Sequence, residues 1–117
     1  MQQNLEQIRA TNALDPAKNL DRSAVNKLPA LILTNGLLAA AAFCDAEGGG
    51  ENRSSMKDAL DATARHLAAR GHLTPGTKSV RAMIEDLVKR DSHDLQRATA
   101  EALAFIAYLK RFAPKKT

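Results

Sequence analysis

Residues 27 to 44, KLPALILTNGLLAAAAFC, form the most apolar stretch of the chain and carry two backbone breakers, Pro29 and the Asn35-Gly36 pair. Asn-Gly is a strong hairpin signal between alternating, β-rich flanks. Here the flanks are LPALILT and LLAAAAFC, mostly helix formers without alternation, so helix is favoured over hairpin. Pro29 removes one backbone donor and kinks or resets the first turns of that helix. Gly36, Ala40 and Cys44 recur every four residues, which predicts a ridge of small residues that admits a neighbouring helix. Apolar around nearly its whole circumference, the segment reads as the central buried helix of a bundle.

Composition points the same way. Among 117 residues only Phe43, Phe105, Phe112 and Tyr108 are aromatic and there is no Trp. The core must therefore come from Leu, Ile, Val and many alanines, which favours closely packed helices over sheets. The length suits one core, so the expected architecture is all-α, a compact single domain over residues 1–117 made of five or six helices.

Local signals divide the chain further. Leu5, Ile8 and Asn12 predict a first helix over about 3–14, and Asp15-Pro16 resembles a cap followed by proline at a helix start. Ser23 is a cap candidate for the apolar segment. A flexible loop is expected at about 46–54, around Gly48-Gly49-Gly50. Ser55 with Asp58 then resembles a capping box, opening a helix with Met56, Leu60, Ala64, Leu67 and Ala68 on one face and Gly71 past its end. HLTPGT, residues 72–77, is a turn. Val80, Met83, Ile84, Leu87 and Val88 make an amphipathic stripe over 78–90. Asp91 or Ser92 caps a last helix whose inner face is Leu95, Ala98, Ala102, Phe105, Ile106, Leu109 and Phe112, followed by a short basic tail at 114–117.

Few of these residues offer catalysis. Cys44 is the only cysteine, so no intrachain disulfide is possible, and at the end of the apolar segment it reads as an inert packing thiol. His66, His72 and His93 belong to no HExxH or HxxxH pair, so no metal is expected. Asp58 with Asp61 and Glu85 with Asp86 have Lys57, Arg65, Lys89 or Arg90 in neighbouring turns, the pattern of a solvated ion-pair face. GGGENRSS lacks the lysine of a phosphate-binding loop. No catalytic residue and no cofactor is expected, and a small hydrolase would need a site the sequence does not show. The polar start MQQNLEQIRA and the short, interrupted apolar run give neither a signal peptide nor a membrane span, so a soluble cytoplasmic protein is expected.

Charge is more informative. The formal net charge is +4, and residues 72–117 hold nine Lys/Arg against five Asp/Glu. Lys78, Arg81, Glu85 and Lys89 lie opposite the apolar stripe, with Arg90 beside them. Arg97, Glu101, Tyr108 and Arg111 fall in one row of the last helix, with Lys110 adjacent. Such rows match either a solubilising surface or contacts to successive phosphates, and Tyr108 serves either as a packing edge or as a stacking face.

Three stretches, NLEQIRATNAL, VNKLPALILTNGLLAAAAF and ATAEALAFIAYLKRFAPK, together resemble the small subunit of the type III-B (Cmr) CRISPR-associated RNA-silencing complex, in order and over nearly the whole chain. The resemblance implies an all-helical subunit without catalytic activity of its own. Copies would stack beside the repeated backbone subunit and the large polymerase-like subunit, along the groove where CRISPR RNA pairs with target RNA. Lys27, Pro29, Asn35, Gly36, Lys110 and Arg111 stand inside the matched stretches. Arg81, Lys89, Arg90 and Arg97 join the RNA-binding candidates through their helical placement alone. Two departures are Tyr108 where the family often has Trp, and the run Leu38-Ala39-Ala40-Ala41-Ala42 where it often has bulkier residues. The competing expectation is a helical DNA-binding regulator using 55–70 and 78–90 as a helix-turn-helix, although the connection GHLTPGT is longer than that motif's turn.

Overall fold

A computed structural model of the chain describes residues 2–46 and 51–115. Among these the secondary structure is entirely helical: α1 (Leu5–Ala17), the short α2 (Arg22–Val25), α3 (Leu28–Asn35), α4 (Leu37–Asp45), α5 (Glu51–Ala69), α6 (Val80–Leu87) and α7 (Ser92–Phe112). Six of the seven are eight residues or longer, as the sequence predicts, and α2 is a single four-residue turn.

The chain's caps explain the boundaries. Asn4 accepts from the Gln7 amide while the Gln7 side chain accepts from the Asn4 amide, a reciprocal capping box that starts α1. Pro16 does not restart a helix. It sits in the last turn of α1, and Lys18, Asn19 and Leu20 beyond it close tighter bonds to residues three back as the helix ends. Asp21, rather than Ser23, caps α2 by accepting from the Ser23 amide. Helix α5 begins four residues before Ser55, and the Ser55 hydroxyl instead accepts from the Asp21 amide, tying α5 to α2. The glycines Gly48, Gly49 and Gly50 of the expected loop lie outside the described residues, as do Lys116 and Thr117 of the basic tail. Ser79 and Asp91 cap α6 and α7.

The apolar segment is two helices, not one. Pro29 lies in the first turn of α3, where a missing donor is tolerated, and Gly36 ends that helix and begins α4 at φ 91°, ψ 158°. A Cβ on Gly36 would meet nothing within 4 Å, so this glycine is required by its backbone conformation and not by close helix approach. The expected ridge reduces to Ala40 and Cys44, both buried. Nor is the segment buried on all sides: Leu33 is 73% exposed and Phe43 45%.

Helix α7 is the centre of the molecule, packing against α1, α5, α2 and α3. The core holds Leu20, Leu28, Ile32, Leu37, Leu60, Leu67, Met83, Leu87, Phe105, Ile106 and Leu109, with alanines filling the closest approaches. Ala13 and Ala17 are the buried residues of α1, and Ala98 and Ala102 are buried on α7; small side chains there allow a short interaxial distance. The stripe on α6 buries Val80, Met83 and Leu87, but Val88 lies past the helix end and is exposed, and Phe112 reaches the surface. Gly71, at φ 84°, closes α5 with the His72 amide bonded to the Leu67 carbonyl.

Candidate nucleic-acid interface

The basic candidates separate into those with a carboxylate partner and those without. Arg81 is exposed but reaches back to Asp45 at the end of α4, 2.9 Å away. Arg90 binds Asp86 at 2.7 Å and lies 4.0 Å from Asp94. Burial opposes ionisation of Asp86, yet hydrogen bonds from Arg90 and from the Thr74 amide hold its pKa below the ordinary value. Lys27, Lys89, Arg97, Lys110 and Arg111 have no ion-pair partner among the described residues.

Two of the candidates line a common cavity. Lys110 and Arg111, at the end of α7, face Arg22 and Asn26 of the α2 region across a cleft of about 340 Å³. Arg22 is positioned by its own donors: Nε gives a hydrogen bond to the Ala113 carbonyl at 2.9 Å, and its backbone amide bonds the Pro114 carbonyl at 3.0 Å. These bonds hold the end of α7 against α2 and keep three cations together. Lys27 is exposed beside Asn26. A cavity with converging cations and no carboxylate within ion-pair distance suits a phosphate. Sequence reasoning missed Arg22 and Asn26, because their proximity to the chain's far end is a tertiary fact; the only local sign was a basic residue beside the Asp21 cap.

Arg97 and Arg90 form a second group near His72. Burial depresses the His72 pKa, Glu101 opposes that, and the positive charges of Arg97, Arg70 and Arg90 add to the depression. Arg81 stands apart from both groups on the α4–α6 side.

The expected row Arg97, Glu101, Tyr108, Arg111 is broken by Glu101, which points inward and is only 7% exposed. Arg9 of α1 meets it with two donors, Nε to Oε2 at 2.8 Å and an Nη to Oε1 at 2.7 Å. His66 of α5 adds Nε2 to Oε2 at 2.8 Å, while its Nδ1 lies 3.0 Å from the Asn12 amide nitrogen. The hydrogen bonds from Arg9 hold the Glu101 pKa down to about 2 against the opposing effect of burial, with His66 assisting. Burial lowers the His66 pKa, although Glu101 acts against it. An ionised carboxylate only accepts, so His66 carries its proton on Nε2 and accepts from Asn12 at Nδ1. Phe105 stacks on the His66 ring at 4.2 Å between centroids. This seam joins α1, α5 and α7, and its groups are consumed by one another.

The same inward use of polar groups corrects two more expectations. Asp61 and Asp86 are not merely a solvated face: Asp61 accepts from the Val80 amide at the start of α6, and Asp86 from Thr74. Tyr108 packs half-buried against the core and Phe112, which leaves it a packing edge rather than a stacking face. No group of three or more His, Cys, Asp or Glu suited to a metal occurs among the described residues. Burial pushes the Cys44 thiol up to about 11, consistent with an inert side chain. Among the described residues no helix is long and apolar enough to cross a membrane.

No curated protein and no solved structure matches the chain. A family model does: the one described as CRISPR-associated protein (Cas_Cmr5) matches residues 1–115, almost the full length and in keeping with the all-helical fold. The chain belongs to the Cas_Cmr5 family, the small subunit of the type III-B CRISPR effector (Cmr) complex.

Proposed function

We infer that the chain acts without catalysis of its own, as a subunit that contacts the backbone of guide or target RNA inside the Cmr complex. The observation that carries this reading is the cleft in which Arg22, Lys110 and Arg111 converge without an acidic partner. Lys27 and Lys89 and Arg97 extend the set of unpaired cations over the same molecule. Phosphate contacts of this kind position a strand without reading it, so base pairing between guide and target would carry the sequence specificity. Neighbouring copies and the repeated backbone subunit would be joined through apolar surface. Support for that comes from the open groove of about 620 Å³ between the α3–α4 junction and α7, lined by Leu37, Leu38, Leu95 and Leu103. Asn35 and Gly36 line the same groove, which gives the break between α3 and α4 a place in the proposed assembly.

The DNA-regulator reading finds no favouring observation. Residues 70–79 separate α5 from α6, and the Asp61 and Asp86 bonds fix that connection as a long loop rather than a tight turn.

The test is purification of the tagged chain from its native host, with bound RNA sequenced and partner proteins identified by mass. Recovery of CRISPR-derived RNA together with a backbone subunit is the expected result. Recovery of neither from cells that express a Cmr complex would overturn the reading.

A further inference from the structure

Phe43 is the most exposed of the three phenylalanines, at 45%, and lies near the end of α4. Its ring is not bare: the Arg53 guanidinium of α5 sits 4.1 Å from the ring centroid. At that distance the cation is held by the ring's quadrupole, which orients an otherwise flexible arginine. Lys57 follows Arg53 by four residues, so the two emerge one turn apart on the same flank of α5. Neither has a carboxylate within ion-pair distance among the described residues. Asp45 comes two positions after Phe43 and so projects from the other flank of α4, where Arg81 binds it.

An exposed aromatic ring bearing a guanidinium, next to a second cation that no described carboxylate approaches within ion-pair distance, matches the way proteins hold single-stranded RNA. Unpaired bases stack on aromatic rings or on arginine planes, and nearby cations take the adjoining phosphates. A protein partner would be served equally by the ring, but an apolar docking surface gains nothing from two unpaired cations beside it.

We propose that Phe43 and Arg53 form a stacking platform for an unpaired RNA base, with Lys57 receiving the neighbouring phosphate. The proposal rests on the RNA-contacting reading above and adds a site that distinguishes single strands from duplex. The Arg22–Lys110–Arg111 cleft engages phosphates of either form, whereas the platform requires a base free of its partner.

The test is fluorescence anisotropy of the full chain with a single-stranded RNA and with an RNA duplex of the same length, over a salt series. Phe43→Leu keeps apolar bulk at a half-exposed position and removes the ring. It should weaken single-strand binding roughly 5- to 150-fold, the range for losing one stacked base, and leave duplex binding unchanged. Phe43→Trp should preserve single-strand binding. A cleft variant carrying Arg22→Ala, Lys110→Ala and Arg111→Ala should weaken both forms. Wild-type affinity of Phe43→Leu for single strands, alongside loss in the cleft variant, overturns the platform alone. Equal loss on single strand and duplex in Phe43→Leu also overturns it. Unchanged single-strand binding with lost recovery of partner subunits would assign Phe43 to a protein contact instead. Absence of RNA binding by the wild-type chain at low salt overturns the platform together with the backbone-contact reading.

Discussion

Midway along α7, Glu101 turns inward and meets Arg9 and His66, whereas further along the same helix Lys110 and Arg111 face a cleft that offers them no carboxylate. Both regions bring charged side chains from distant parts of the chain together, and both tie α7 to the N-terminal third. They differ in whether the charges are complemented. In the seam both Glu101 oxygens and both His66 ring nitrogens have partners, and among the described residues no buried side-chain nitrogen or oxygen lacks one. Complemented charge fixes the position of helices; uncomplemented charge in a concave site is available to an outside anion.

The largest test of this contrast is removal of the seam's centre. Glu101→Ala leaves Arg9 and buried His66 without their acceptor and should cost on the order of 3–5 kcal/mol, the range for breaking a buried charge pair. Urea denaturation would measure it. A loss under about 1 kcal/mol would mean that alanine packing between α1 and α7, and not the seam, sets their docking.

Acid should act on the same seam and not on the cleft. The folded Glu101 pKa is near 2 against an ordinary 4.5, so the unfolded chain binds more protons between those values. Its contribution is present above pH 4.5 and is lost as pH falls toward 2, by about 3 kcal/mol if the whole shift is expressed. The His66 pKa is also lowered, and for a base this again means more protons on the unfolded chain. Its part is lost as pH falls below about 6.5, the ordinary value. Denaturation midpoints between pH 7 and 3 should therefore fall in two stages, and Glu101→Gln should flatten the lower stage. A wild-type midpoint that stays level across this range would contradict the assigned charge states.

What sequence made legible follows the same division. Helices that bury an apolar stripe, such as α6 with Val80, Met83 and Leu87, announced themselves because burial and period coincide. Glu101 did not, since a carboxylate on a helix looks identical from sequence whether it faces water or a partly buried arginine ninety-two positions away. The signal that existed was positional: Glu101 lies between Ala98, Ala102 and Phe105 on the inner face of α7. Arg22 was hidden for the same reason, as its partners are the carbonyls of Ala113 and Arg111. Gly36 was seen as a breaker but explained by packing, when the backbone at φ 91° is what demands it. Gly36→Ala should thus cost about 1–2 kcal/mol through strain alone, because the space around it is open. Denaturant midpoints test this, and an unchanged midpoint would show that α3 and α4 can join as one continuous helix.

The smallest expected effect separates the cations themselves. Arg90 is engaged by Asp86 and approached by Asp94, and Arg81 is engaged by Asp45, so a phosphate reaching either must displace a carboxylate already in place. Lys110 and Arg111 impose no such exchange. Replacing both by alanine should lower the slope of RNA affinity against salt by roughly 1.4, about 0.7 per phosphate contact on a single strand. Replacing Arg81 and Arg90 removes the same formal charge but should change the slope by much less, since paired arginines release few counterions from the RNA. Arg90→Ala also strips Asp86 of a partner at a partly exposed site, which should reduce stability by under about 1 kcal/mol. Equal slopes for the two double variants would show that ion pairs at the surface of this protein open freely to RNA. In that case helical placement, which first singled out Arg81 and Arg90, would be a better guide to contact than the pairing seen in the folded chain.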